Sequence, residues 1–186
     1  MDKVQHFYAA DRSAWRSWLK KNHETESAVW LVFDKGKGRR LSWQDIVEEA
    51  LCFGWIDSRP GKVSDTQSKI YISKRKPRSV WSKINKQNVE RLIESGKMTP
   101  SGMACVNRAK QNGSWQALEL SDNLVQPPEL IEGFTKNPVA KQNFESFPIG
   151  SQKNTLQWLY DAKTSETQNK RINQTIAAAQ NNERLR

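Results

Sequence analysis

The chain has few of the residues that build metal sites and disulfide scaffolds. Its 186 residues include two histidines, two cysteines and three methionines. Cys52 and Cys105 each sit among apolar neighbours, so buried reduced thiols are expected rather than a bridge. His6 and His23 have no ligand spacing to a cysteine or a carboxylate, so no zinc site is expected, nor any other metal or cofactor. No run of eighteen apolar residues occurs, and therefore no membrane-spanning helix is expected. The opening MDKVQHFYAADRSAW has no apolar core of a secretory signal, which points to the cytoplasm. GKGRR at 36–40 lacks the spaced glycine and the GK[ST] ending of a phosphate-binding loop, and no G-x-S-x-G elbow occurs.

Apolar residues make up 36% of the chain, and tryptophan alone supplies eight. That is enough to fill a core, which excludes global disorder and fits one domain or one domain with a small appendage. Lysine and arginine number 30 against 20 aspartate and glutamate, a net charge of +10. The excess is local. Residues 1–120 carry +9, residues 121–186 carry +1, and residues 69–91 alone carry +7. Local positive charge attracts anions without naming them.

Asp11 is placed to cap a helix with Ala14, Trp15, Trp18 and Leu19 on one side, ending near Asn22. AVWLVF at 28–33 reads as a strand by its branched and aromatic content. Ser42 and Asp45 have capping-box spacing, and Gly54 is placed to stop the helix they open. WIDS reads as a short strand, Pro60-Gly61 as a turn, and KIYIS at 69–73 as the next strand. Ser79 or Ser82 caps a helix whose buried side is expected to include Trp81, Ile84, Val89, Leu92 and Ile93. A further helix covers roughly 101–112. Two prolines mark 121–128 as a linker. Past it, short helices are expected at 128–134 and 137–145, then one through 155–163 and a last from Ser165, capped with Gln168. The strands are thus confined to the first half. The expected class is α+β: a small sheet with several helices over 1–120, then a helical domain over 129–186.

Two stretches carry candidate chemistry. In FGWIDS, Asp57 follows Trp55 and Ile56, and a carboxylate beside a large ring can be turned into a general acid. The structural alternative is a turn cap or an ion pair. In SKRKPRSVWSKIN at 73–85, Arg75 and Arg78 can fork to phosphate or carboxylate oxygens. Ser82 and Asn85 stand at a helix start, which favours anions. The alternative here is a solvated basic loop before a serine-capped helix, with Trp81 in the core rather than serving as a stacking platform for bases. In the last helix Glu166 and Lys170 have surface-pair spacing, and Arg171 is placed to reach back to the first domain.

Four pieces taken together resemble the YdeI/OmpD-associated bacterial family, also called bacteriocin-protection proteins: GWIDS (54–58), PRSVWSKIN (77–85), GKMTPSG (96–102) and AKTSETQNKRI (162–172). The resemblance spans about Trp15 to Ala179. Trp55, Asp57, Pro77, Arg78, Trp81, Ser82 and Asn85 match the pattern position by position, while Thr164 and Gln168 stand where the pattern has basic residues. The resemblance implies a link to protection against antimicrobial peptides or bacteriocins and brings no catalytic residues with it. The leading expectation is a non-catalytic binder of an anionic ligand or acidic partner, using Trp55, Asp57, Arg75, Arg78, Trp81, Ser82 and Asn85, with Asp57 fixing Arg78. Two alternatives stand beside it. One is a small-molecule enzyme with Asp57 in a pocket walled by Trp55 and Trp81. The other is a nucleic-acid binder using the basic segment 69–91.

Overall fold

The computed structural model describes residues 4–185 and divides into two units, one ending at Gln116 and one beginning at Ala117. In the first, strand β1 (His6–Tyr8) leads to helix α1 (Arg12–Asn22), strand β2 (Ala28–Asp34) and helix α2 (Trp43–Cys52). Strands β3 (Trp55–Lys62) and β4 (Gln67–Lys74) follow, then helices α3 (Lys83–Glu94) and α4 (Pro100–Gln111). The sheet order is β1-β2-β4-β3; β1 runs parallel to β2 and the other pairs are antiparallel.

Local signals account for most boundaries. Asp11 accepts from the Ala14 amide at 2.9 Å and caps α1. Ser42 and Asp45 form a reciprocal capping box on α2. Gly54 has φ +76°, the left-handed conformation that turns the chain from α2 into β3. Ser82 caps α3, accepting from the Asn85 amide at 3.3 Å.

HFY, on which the sequence raised no expectation, forms a strand, because pairing to β2 supplies what three residues cannot supply alone. Three expectations are corrected. Pro60-Gly61 lies inside β3 rather than in a turn; β3 is an edge strand, where proline's missing N–H leaves no ladder bond unmade. Ile84 is 67% exposed and Ile93 42% exposed, so the buried side of α3 is narrower: Asn88, Val89 and Leu92. The last helix is capped by Thr164, which accepts from the Thr167 amide at 3.1 Å, rather than by Ser165.

Val29, Leu31, Ile70 and Ile72 point from the sheet onto Trp15, Trp18, Leu19 and Ile46 of the helices. Trp15 and Trp18 stack at 5.4 Å between centroids, and Trp55 meets Trp18 edge-on at 5.9 Å. A charged cluster ties α1 to α2 beside this core. Arg12 donates from Nε to Glu49 at 2.6 Å and from Nη1 to Asp45 at 2.7 Å. Its Nη2 lies 2.9 Å from Glu48 Oε2, an ion pair. Arg16 reaches the other oxygen of Glu49 at 2.6 Å. Burial acts to lower the pKa of Arg12, but the carboxylates more than reverse it and the net shift is upward.

Helix α4 is pinned against the end of α2. The Cys52 carbonyl accepts from Thr99 Oγ1 at 2.6 Å and from the Thr99 amide at 3.2 Å. A Cβ on Gly102 would lie 2.2 Å from the same carbonyl oxygen, so only glycine allows this approach.

The second unit is helical: α5 (Glu119–Asp122), α6 (Pro128–Lys136), α7 (Pro138–Ser146), α8 (Ile149–Tyr160) and α9 (Ser165–Gln180). Helices α6 and α7 each start on a proline, which sits well where the N–H would be unpaired anyway. Leu130, Phe134, Phe144, Leu156, Leu159 and Ile172 form its core. Arg171 lies over the Trp158 ring and donates to that residue's carbonyl, within its own unit. Among the described residues no helix is long and apolar enough to cross a membrane.

Candidate functional site

The basic segment does not form one stripe. Of its eight cations, Lys69 lies over the Trp30 ring at 4.6 Å, Lys74 donates to the Glu24 carbonyl at 2.6 Å, and Arg91 pairs with Glu48 at 3.3 Å. Lys76, Arg78 and Lys83 are exposed. Arg75 turns inward and is only 5% exposed.

The fold places Arg75 through its backbone: β4 ends at Lys74, and the Arg75 amide donates to the Gly54 carbonyl at 3.0 Å. Its guanidinium then lies on the Trp81 ring, 3.7 Å from the centroid. Nη1 donates to the Val80 carbonyl at 2.8 Å and to the Ser79 hydroxyl at 3.3 Å. Nε and Nη2 are buried and have no hydrogen-bond partner among the described residues. Burial pushes the pKa of Arg75 down to about 10, against the weaker pull of Cys105 and Asp57. The side chain therefore remains a cation at neutral pH. It is nearly dry, and among the described residues no carboxylate is bonded to it.

Arg75 lines an open cleft of about 380 Å³. Phe53, Gly54 and Trp55 line it from the α2–β3 junction, Lys74 and Arg75 from the end of β4, and Ser101, Cys105 and Arg108 from α4. His23 completes it from the end of α1. Its Nδ1 is 2.9 Å from the Leu19 carbonyl and its Nε2 is 2.9 Å from Ser101 Oγ. A carbonyl only accepts, so Nδ1 carries the hydrogen, and in the neutral ring Nε2 accepts from the serine. Burial raises the Cys105 thiol pKa, opposed by Arg75 and Arg108, so Cys105 is a neutral wall rather than a thiolate.

The other residues singled out by sequence lie as follows. Trp55 lines the cleft. Asp57 is half-buried on β3 and acts on Arg75 through its field; among the described residues no bond joins it to Arg78. Trp81 is 1% exposed and forms the floor under Arg75, packed in turn at a tilt against Trp115, with ring centroids 5.0 Å apart. Ser82 is occupied in capping α3, and Asn85 supplies the amide it accepts from. His23, Ser101 and Arg108 were not singled out by their sequence context. Ser101 stands inside GKMTPSG, but its partner is 78 residues away, beyond any local pattern. Among the described residues no group of three or more His, Cys, Asp and Glu is arranged to hold a metal ion.

Two family models match the chain. One, described as a domain of unknown function (DUF8412), matches residues 7–105, more than half of the chain and the part that holds most of the cleft. The other, described as bacteriocin-protection, YdeI or OmpD-associated, matches residues 123–182 in the helical unit. Searches among curated proteins and among solved structures returned no match.

Proposed function

The chain belongs to the DUF8412 family through residues 7–105, and its residues 123–182 to the bacteriocin-protection, YdeI or OmpD-associated family; on that premise we propose that the first unit binds a small anionic ligand, a carboxylate or a phosphate, at Arg75. One observation carries this reading. A guanidinium 5% exposed, with two nitrogens unpartnered and no carboxylate bonded to it, borders an open cleft. A buried ion without a bonded counter-ion is costly, and an incoming anion offsets that cost. Lys74 and Arg108 line the same cleft and supply further positive charge, set against the carboxylate of Glu24. The description of the second family speaks of bacteriocin protection. With a net charge of +10, direct capture of a cationic peptide is opposed by like-charge repulsion, so in this reading protection runs through the bound anion.

The test is isothermal titration with inorganic phosphate, acetate and a dicarboxylate against the native protein, Arg75→Met and Arg75→Lys. Saturable binding that Arg75→Met abolishes and Arg75→Lys only weakens is the expected result. No saturable binding by any of these anions, or binding unchanged in Arg75→Met, overturns the reading.

The enzyme alternative is favoured by a different observation from the one that suggested it: the 2.9 Å contact of Ser101 Oγ with His23 Nε2 in that cleft. A serine with a histidine base is the arrangement of a nucleophile. Fluorophosphonate labelling of Ser101 that is lost in His23→Gln is its expected signature; an unlabelled protein removes it.

A further inference from the structure

The sheet has a second face, and among the described residues it carries no buried side chain apart from Ala28. Across its middle runs a row with one flat side chain on each strand. His6 of β1 is paired with Trp30 of β2, and Trp30 with Tyr71 of β4. The rings meet edge to face, His6 to Trp30 at 6.3 Å and Trp30 to Tyr71 at 5.2 Å. The fourth member is Arg59 of β3, its guanidinium 4.7 Å from the Tyr71 centroid and 5.9 Å from that of Trp30.

A bulge puts Arg59 there. Asp57 pairs with Ile72 and Pro60 with Ile70, so Ser58 and Arg59 together oppose Tyr71. Under plain alternation Arg59 would face the same side as Asp57, toward the core; the extra residue turns it outward. Bulges commonly re-aim a side chain beside a functional site. Lys69, next along β4 on this face, brings its Nζ to 4.6 Å over Trp30.

We infer that this face binds single-stranded nucleic acid, its bases stacking on the His6–Trp30–Tyr71–Arg59 row and its phosphates meeting Lys69 and neighbouring cations. With strands about 4.8 Å apart the row is roughly 14 Å long, an extended platform rather than a pocket for one base. Sheets that read unpaired bases present rings in this way, and arginine planes stack on bases as rings do. A protein partner fits less well, because the centres of protein interfaces are depleted in lysine and here Lys69 lies over the central ring. Asp34, the carboxylate on this face, accepts from Tyr8 Oη at 2.7 Å and Gln67 Nε2 at 3.1 Å, and its charge marks one end of the track. The inference is independent of the Arg75 cleft, which lies on the helix-covered side of the unit, and it moves nucleic-acid binding away from residues 75–91.

The experiment is fluorescence anisotropy with labelled mixed-sequence twelve-nucleotide single strands of RNA and DNA, and with the corresponding duplexes, at low and physiological salt. At least one single strand binds tenfold or more tightly than its duplex. Arg59→Ala/Lys69→Ala weakens that binding at least tenfold, whereas Arg78→Ala/Lys83→Ala, at the start of α3, weakens it less than threefold. Absence of single-strand binding, equal binding to duplex, or an equal loss in the second pair overturns the inference. Ultraviolet crosslinking of the unaltered protein checks the location without any variant. Crosslinks fall on Trp30 or Tyr71 if the row is the platform, and crosslinks found solely outside β2 and β4 reject it.

Discussion

Arg12 and Arg75 are both drawn into the first unit, but in opposite company. Arg12 meets three carboxylates, Asp45, Glu48 and Glu49, and its side chain keeps 29% exposure. Arg75 is far more buried and meets a tryptophan face, a hydroxyl and carbonyl oxygens, with two nitrogens left over. The pKa shifts diverge accordingly, upward for Arg12 and downward for Arg75. Arg12, held among three carboxylates, acts as a structural staple between two helices. Arg75, which has no such carboxylates bonded to it among the described residues, is the position at which the proposed reading puts an anion.

The largest effect expected from breaking this contrast is at Arg12. Arg12→Ala leaves a cluster of carboxylates without their central cation and costs about 3–5 kcal/mol, read by urea denaturation. Arg75→Met should change stability by less than about 1 kcal/mol, because an apolar side chain of similar length removes an uncompensated charge. Equal losses at the two positions would dissolve the distinction. Next comes the ligand. At a hundredfold excess over its Kd, a bound anion stabilises the native protein by about 2.7 kcal/mol, and this increment vanishes in Arg75→Met while the unliganded melting temperature is kept.

A smaller effect sorts the residues near Arg75. Ser82→Ala loses a helix cap and about 1 kcal/mol, with anion affinity unchanged; a parallel loss of affinity would make Ser82 part of the site. The smallest effect lies in the acid limb. Burial acts to raise the pKa of Asp45, but bonds from Ser42 and Arg12 outweigh it and hold it below its usual value. A carboxyl with a depressed folded pKa contributes stability that is complete above its unfolded pKa, about 3.9, and is lost as pH falls through the folded value. Asp45→Asn therefore costs about 0.5 kcal/mol at pH 7, and the gap to native closes below about pH 4. A gap constant down to pH 2 would show that the charge of Asp45 contributes nothing.

What could be read from the sequence was whatever lies within one turn of a helix or one strand. Asp11, the Ser42–Asp45 box and Gly54 announce themselves because their partners are three or four residues away. Ile84 and Ile93 misled, because helical spacing shows that a stripe exists but not how wide a face its neighbours cover. The site was half legible. SKRKPRSVWSKIN contains Arg75 and Trp81, yet no pattern in that segment tells a buried arginine from its exposed neighbours Lys76 and Arg78. The Arg12 cluster joins residues 33 to 37 apart, and the His23–Ser101 contact joins residues 78 apart. Only the tertiary fold brings such pairs together.

Gly102 has a consequence for timing. With α4 resting on the Cys52 carbonyl at a distance that admits no Cβ, and Thr99 bonded to the same oxygen, Ser101 and Cys105 are held at a fixed distance from Phe53 and Gly54. The cleft is a slot of set gauge. On the reading proposed above, an anion is expected to enter and leave it in one step, with an observed rate that climbs in a straight line with concentration; a plateau in that rate would show a cleft that must open first. The close contact at Gly102 bars the helices from closing further, so a narrower slot requires a larger side chain on the wall in place of Ala104.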